Sequence, residues 1–147
     1  MTRLRRISCS LLLIYGAALL YWMFIGFGRS AQAGGALKYN LIPLQTIGFY
    51  LDSGNSLSFM DRVINLAGNI GVFIPLGYLL PLSSPRLNSL SNLALFAVPS
   101  ILLLELLQML LRAGSFDIDD LLLNLLGIWA GCCLLRIIKM IRTKENE

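Results

Sequence analysis

The sequence of 147 residues contains no histidine, and charged residues make up only 14% of it. Histidine is the usual general base and the commonest metal ligand, so catalysis would have to use carboxylates, hydroxyls, amides or arginine. Cysteine is also scarce: the sequence has three, Cys9, Cys132 and Cys133. Their spacing is not that of a disulfide framework or a metal site. We therefore expect no cofactor.

What the sequence has in abundance is apolar side chains: hydrophobic residues make up 56% of the chain, and the mean hydropathy is +0.73. These values identify an integral membrane protein. Since each span takes roughly 20 residues, about four spans and one longer loop fit into a single domain, residues 1–147. The net charge of +4 does not indicate nucleic-acid binding, because the basic residues flank apolar runs, where they meet anionic membrane lipids.

Four apolar runs predict an all-α, polytopic membrane protein with spans at residues 7–27, 63–82, 93–111 and 121–138. Basic residues precede the first run, occupy the turn between the second and third, and end the last. An even number of spans places all of them on one side, which the positive-inside rule makes cytoplasmic. We therefore predict cytoplasmic N and C termini. The basic residues concerned are Arg3, Arg5, Arg6, Arg86, Arg136, Lys139, Arg142 and Lys144.

The predicted outer loop, residues 28–62, is too apolar for a solvated linker. We expect it to lie in the membrane interface or to dip between the helices as a re-entrant piece. A competing interpretation treats the N-terminal segment as a signal peptide, because Ala31-Gln32-Ala33 has the small-x-small pattern of a cleavage site. The apolar run before it is long and bulky for a signal peptide, which favours a retained span.

Polar side chains recur at helical spacing within three of the predicted spans. In the second span, Asn65 and Asn69 follow Asp61 at intervals of four residues and share a face, and Gly68 and Gly71 are expected to allow close backbone approach.

In the third span, Glu105, Gln108 and Arg112 share a face at i, i+3 and i+7. In the fourth, Asp120 and Asn124 are one turn apart, and the stripe continues into a small-xxx-small notch. The glycines of that notch are Gly127 and Gly131.

All three stripes fall in the outer halves of their helices, so they predict a polar crevice that opens to the extracytoplasmic side. Its predicted lining is Asn65, Asn69, Glu105, Gln108 and Asn124, its predicted rim is Arg112, Asp117, Asp119 and Asp120, and Asn40 folds over the mouth. A simpler interpretation is that the amides only join helices by hydrogen bonds and that the aspartates cap the fourth helix. We predict no metal site, although the three aspartates are weak candidates for one.

The order of these motifs resembles the VanZ-like family of membrane proteins. The resemblance extends from about Asn40 to Gly131, and the family's Asn-Leu-Ile-Pro element is commonly followed by Phe, where this chain has Leu44. The motifs that carry it are Asn40-Leu41-Ile42-Pro43, Asn65, Gly68-Asn69, Phe73-Ile74-Pro75-Leu76-Gly77, Pro81, Glu105, Gln108, Arg112, Asp117-Ile118-Asp119-Asp120, Asn124, Gly127 and Gly131. The family's namesake is associated with resistance to teicoplanin, a lipidated glycopeptide antibiotic. The resemblance therefore implies a bacterial cytoplasmic-membrane protein that modulates the cell envelope or resistance to glycopeptide and lipoglycopeptide antibiotics.

Three functions are consistent with these features. The first is binding of an amphiphile, such as a lipid-linked wall precursor or a lipoglycopeptide, in the outward-facing crevice. The second is an enzyme that modifies a membrane-embedded substrate, with Glu105 as general acid or base and the aspartates holding a divalent cation. The third is a small transporter or a transporter subunit, since buried acids also serve proton relays. We favour the first, because the sequence has no activated nucleophile pair and the inner halves of all four spans are continuously apolar.

Overall fold

The computed structural model describes residues 3–26 and 36–145, and within them the chain forms five α-helices and two very short strands. Four of the helices are long and apolar enough to cross a membrane. This confirms the predicted all-α, polytopic fold class. The candidate cleavage site of the signal-peptide interpretation, Ala31-Gln32-Ala33, lies outside the described residues. The elements are α1 (Arg3–Phe24), β1 (Tyr39–Asn40), α2 (Gln45–Leu51), α3 (Phe59–Ser83), a 3₁₀ turn (Pro85–Leu87), α4 (Leu90–Leu110), β2 (Phe116–Asp117) and α5 (Ile118–Lys144).

The last three long helices begin before their apolar runs, because each starts at a capping side chain. Ser58 caps α3 in a capping box, in which its hydroxyl accepts from the Asp61 amide and the Asp61 carboxylate accepts from the Ser58 amide. Ser89 caps α4 by accepting a hydrogen bond from the Asn92 amide, without a reciprocal side-chain bond. Asp117 caps α5 by accepting from the Asp119 amide at 2.9 Å.

The backbones of α3 and α5 touch where the two helices cross. Added Cβ atoms at Gly127 and Gly131 of α5 would overlap carbonyl oxygens of α3, and one at Gly77 of α3 would overlap a carbonyl oxygen of α5. The predicted small-residue notch on α5 is thus confirmed. The same expectation for Gly68 and Gly71 is wrong, because a Cβ at either position would meet no atom of the described chain within 4 Å.

The apolar core lies mainly between α4 and α5. Leu93, Ala97 and Ile101 form a buried stripe on α4 at intervals of four residues, and they belong to one buried cluster with Ile128 and Cys132 of α5. In addition, α1 packs against α3. The four long helices therefore form one bundle, and the short helix α2 packs against the N-terminal parts of α3 and α5.

Candidate functional site

Two of the motifs that resemble the VanZ-like family, Asn40-Leu41-Ile42-Pro43 and Asp117-Ile118-Asp119-Asp120, are joined directly at the end of the bundle where α5 begins. Strands β1 and β2 pair in parallel, with Tyr39 opposite Phe116 and Asn40 opposite Asp117. The amide of Phe116 donates to the carbonyl of Lys38 at 3.0 Å. The pairing brings the Asn-Leu-Ile-Pro segment onto the start of α5, where the aspartates lie.

Asp119 holds the N-terminus of α2 against the bundle. Its carboxylate is fully buried and accepts three backbone N–H groups, from Leu44 at 2.6 Å, Thr46 at 2.8 Å and Ile47 at 3.0 Å. These are amide groups that a helix start leaves without partners, and the negative charge also suits the positive end of the helix dipole. Leu44 itself adopts the left-handed conformation, at φ 65°. Asp119 therefore compensates for strain at the residue where this chain departs from the family's usual Phe.

Asp117 completes this attachment through side chains. The hydroxyl of Thr46 donates to Asp117 Oδ2 at 2.6 Å, and the amide of Asn40 donates to the Thr46 hydroxyl at 2.9 Å and to Asp117 Oδ1 at 3.4 Å. We call Asn40, Thr46, Asp117 and Asp119 the outer clamp. Both aspartates of the clamp are thus engaged by protein donors, and no group of three or more potential ligands that could hold a metal ion occurs among the described residues.

Arg62 holds the other end of α2. Its guanidinium donates to the carbonyls of Tyr50, at 3.1 Å, and Asp52, and to Oδ1 of Asn55 at 2.6 Å. A cation at the C-terminus of a helix matches the sign of the dipole there, so α2 is held at both ends by charges of the appropriate sign. Sequence analysis missed Arg62 and Thr46 as members of the site.

A second link between α3 and α5 lies just below the clamp. The amide of Asn69 donates to Asp120 Oδ1 at 2.6 Å. Tyr50 of α2 lies near the same region: burial raises the pKa of Tyr50, and the negative charges of Asp120, Asp117 and Asp61 raise it further. Its phenol therefore remains a protonated hydrogen-bond donor at neutral pH.

Three predicted polar residues are buried deeper in the bundle, and we call them the buried polar set. Glu105 and Gln108 on α4 are each 3% exposed, and Asn124 on α5 is 2% exposed. Gln108 donates to the carbonyl of Met23 at 2.8 Å and so ties α4 to the end of α1. Oδ1 of Asn124 is buried and has no hydrogen-bond partner among the described residues. From the rise of 1.5 Å per residue, Glu105 and Asn124 lie at similar depths, roughly 8 to 9 Å inside their helix ends.

Two other predicted members lie apart from this set. Asn65 is exposed, and its amide donates to the Asp61 carbonyl of its own helix at 2.7 Å. Arg112 is exposed and lies beyond α4, which ends at Leu110. The expectation that Arg112 continues the helical face of Glu105 is therefore wrong.

The early end of α4 has a specific cause. The amides of Ala113 and Arg112 donate back to the carbonyls of Gln108, at 2.9 Å, and Met109, at 3.1 Å, which is the hydrogen-bond pattern of a Schellman motif. Arg112 occupies the left-handed position of this motif, at φ 56°, where glycine is usual. Its side chain is thereby directed away from the helix face of Glu105.

We expect Arg112→Gly to leave the thermal stability unchanged or to raise the free energy of unfolding by up to about 1 kcal/mol. Glycine adopts a positive φ without strain, and this gain offsets its larger entropy in the unfolded chain. Thermal unfolding of the detergent-solubilised protein measures the change. A lower melting temperature would show that the guanidinium makes a stabilising contact that outweighs the backbone strain.

An open cavity of about 600 Å³ lies between the C-terminal end of α2 and the first turns of α3. Its walls are largely apolar and include Leu57, Phe59, Val63 and Leu66. Tyr50 of α2 and Arg62, which holds the C-terminal end of α2, line it as well.

One protein-family model, described as VanZ/LLP1, matches residues 12–139, which is most of the chain. The comparison with curated proteins and the comparison with solved structures found no match. The matched segment contains the clamp, the buried polar set and the crossing of α3 and α5.

Proposed function

The chain belongs to the VanZ-like family, and from this membership and its outer site we propose that it binds an amphiphilic ligand of the bacterial cell envelope. The protein lies in the cytoplasmic membrane with both termini in the cytoplasm. The site therefore opens outward, where lipid-linked wall precursors and lipoglycopeptides occur.

The observation that carries this proposal is the buried oxygen of Asn124. A buried acceptor without a donor costs about 1–3 kcal/mol, so an amide that served only to join helices would be expected to form its hydrogen bond. A donor supplied by a ligand would satisfy it. Polar groups at this depth of a membrane protein are most often functional.

The cavity between α2 and α3 indicates what kind of ligand would fit. Its apolar walls suit an acyl chain, and Tyr50 supplies a hydrogen-bond donor in its lining. Glu105 supplies a further polar group at about the depth of Asn124, and Gln108 lies about one turn nearer the end of α4. An amphiphile would place its chain along α3 and its polar part toward the buried polar set.

We expect Asn124→Leu to weaken ligand binding by about tenfold or more while leaving the melting temperature equal or higher. Leucine has nearly the shape of asparagine but no buried acceptor to leave unsatisfied, so a loss of binding without a loss of stability separates a ligand contact from a structural one. The probes are teicoplanin and an undecaprenyl-diphosphate-linked wall precursor, titrated against the full chain in lipid nanodiscs. The matched control is Asn65→Leu, because Asn65 is exposed and hydrogen-bonds only within α3.

The proposal is wrong if Asn124→Leu lowers the melting temperature and leaves binding intact, or if neither probe binds the unmodified protein. Mass spectrometry of the probes after incubation adds a separate test. A change in probe mass that disappears in Glu105→Gln would assign an enzymatic function instead.

A further inference from the structure

The charged residues are divided unevenly between the two ends of the bundle. The end opposite the clamp, which we call the inner end, contains the start of α1, the turn between α3 and α4, and the last turns of α5. Among the described residues it carries eight cations and one carboxylate, Glu145. The cations are Arg3, Arg5, Arg6, Arg86, Arg136, Lys139, Arg142 and Lys144.

Three of these arginines come together at the turn between α3 and α4. Arg5 of α1 donates through Nε to the Ser83 carbonyl at 2.6 Å, and Arg136 of α5 donates through Nη2 to the Asn88 carbonyl at 2.7 Å. Arg86 lies between these two points on the 3₁₀ turn and is exposed. Side chains from α1 and α5 are thus bonded to the turn that carries Arg86.

Arg86 and Arg136 have donors available to an anion. A guanidinium carries five N–H groups, and the bond to Asn88 uses one of those on Arg136. No described carboxylate pairs with Arg86, Arg136 or Lys139. Lys139 follows Arg136 by one turn of α5 and is exposed, so both lie on the same side of the helix.

Exposed aliphatic side chains surround these cations. Ile137 is 49% exposed, Met140 is 59% exposed and Ile141 is 52% exposed, and all three interleave with the cations of α5. Such side chains suit contact with lipid chains, whereas a site for a water-soluble anion has no use for them. The 27 residues of α5 also exceed the roughly 20 that a span needs, so its last turns reach the headgroup region.

We propose that Arg86, Arg136 and Lys139 bind the phosphate of an anionic phospholipid in the inner leaflet. The two guanidinium groups donate to the phosphate oxygens, and the ammonium group of Lys139 adds a second positive contact. The exposed aliphatic side chains of α5 lie along the lipid's acyl chains. This site is independent of the outer clamp and of the ligand proposed for it.

The test is native mass spectrometry of the full chain in detergent, titrated with phosphatidylglycerol and, separately, with phosphatidylcholine. We expect the unmodified protein to retain phosphatidylglycerol preferentially. The double substitution Arg86→Gln/Arg136→Gln should weaken that retention by about 30-fold, because each cation near an anionic headgroup contributes about fivefold. The control Lys38→Gln/Arg112→Gln removes the same charge from the opposite end of the bundle and should change it less than threefold.

Further controls test whether charge, folding or free phosphate explains the result. Arg136→Lys keeps the charge and should restore part of the affinity of Arg136→Gln, and thermal unfolding checks that each variant remains folded. Inorganic phosphate at the lipid concentration should not displace the lipid. Equal losses in the two double variants, equal retention of the two lipids, or displacement by phosphate would each overturn the proposal.

Discussion

Replacing Asp119 with asparagine is expected to release α2 from the bundle and to lower the free energy of unfolding by about 3 kcal/mol or more. The fully buried carboxylate accepts the amides of Leu44, Thr46 and Ile47, and hydrogen bonds to a charged group contribute about 1.5–3 kcal/mol each. Asparagine offers one acceptor oxygen, and its NH₂ group would face donors. Leu44 would also lose the contact that holds it in the left-handed conformation.

Hydrogen exchange of the amides between residues 44 and 52, together with thermal unfolding, measures this effect. The control is Asp61→Asn, since Asp61 is an exposed carboxylate in a local capping box and its loss should cost about 1 kcal/mol. If Asp119 served only to bind a ligand, the exchange of the α2 amides would remain slow in the variant. That result would show that Asp119 does not hold α2 against the bundle.

The spans were predictable because their length and composition are imposed by the bilayer. A run of about 20 apolar residues has few alternatives in lipid, and the caps Ser58, Ser89 and Asp117 changed only the helix bounds. Helical spacing also identified Glu105, Gln108 and Asn124, and the structure buries all three. Their function as a binding site remains a prediction.

The partners of the aspartates were not predictable, because backbone amides carry no signature in the sequence. Asp119 bonds amides more than 70 positions away, and the same motif could equally have capped only α5. Arg62 did leave a readable signal. A cation in the first turns of a helix opposes that helix's own dipole, so its charge is expected to serve a neighbouring segment, which here is the end of α2.

The error at Arg112 has a different origin. The i, i+3, i+7 spacing assumes that the helix continues to Arg112. The Schellman motif instead ends α4 at Leu110, two residues before Arg112. A left-handed arginine in place of the usual glycine gave no warning of that end. The glycine expectation failed at Gly71 for a similar reason, because spacing does not reveal which face of α3 meets a neighbour.

Gly131→Ala is expected to have a comparably large effect, lowering the free energy of unfolding by about 3 kcal/mol. The new Cβ would overlap the carbonyl oxygen of Ile74, and a backbone atom of a packed helix cannot move aside as a flexible side chain can. Thermal unfolding of the solubilised protein measures the loss.

Gly71→Ala is the matched control, because it makes the same chemical change on α3 where a Cβ meets no described atom within 4 Å. Alanine is the better helix former, so this variant should be unchanged or more stable by up to about 1 kcal/mol. Equal effects of the two substitutions would mean that α3 and α5 are not in backbone contact.

Gly131→Ala and Asp119→Asn are expected to affect different parts of the site. In Gly131→Ala, α5 moves away from α3, which strains the bond between Asn69 and Asp120. This variant should therefore weaken ligand binding without first releasing α2. Asp119→Asn should do the reverse, freeing α2 while the crossing stays intact.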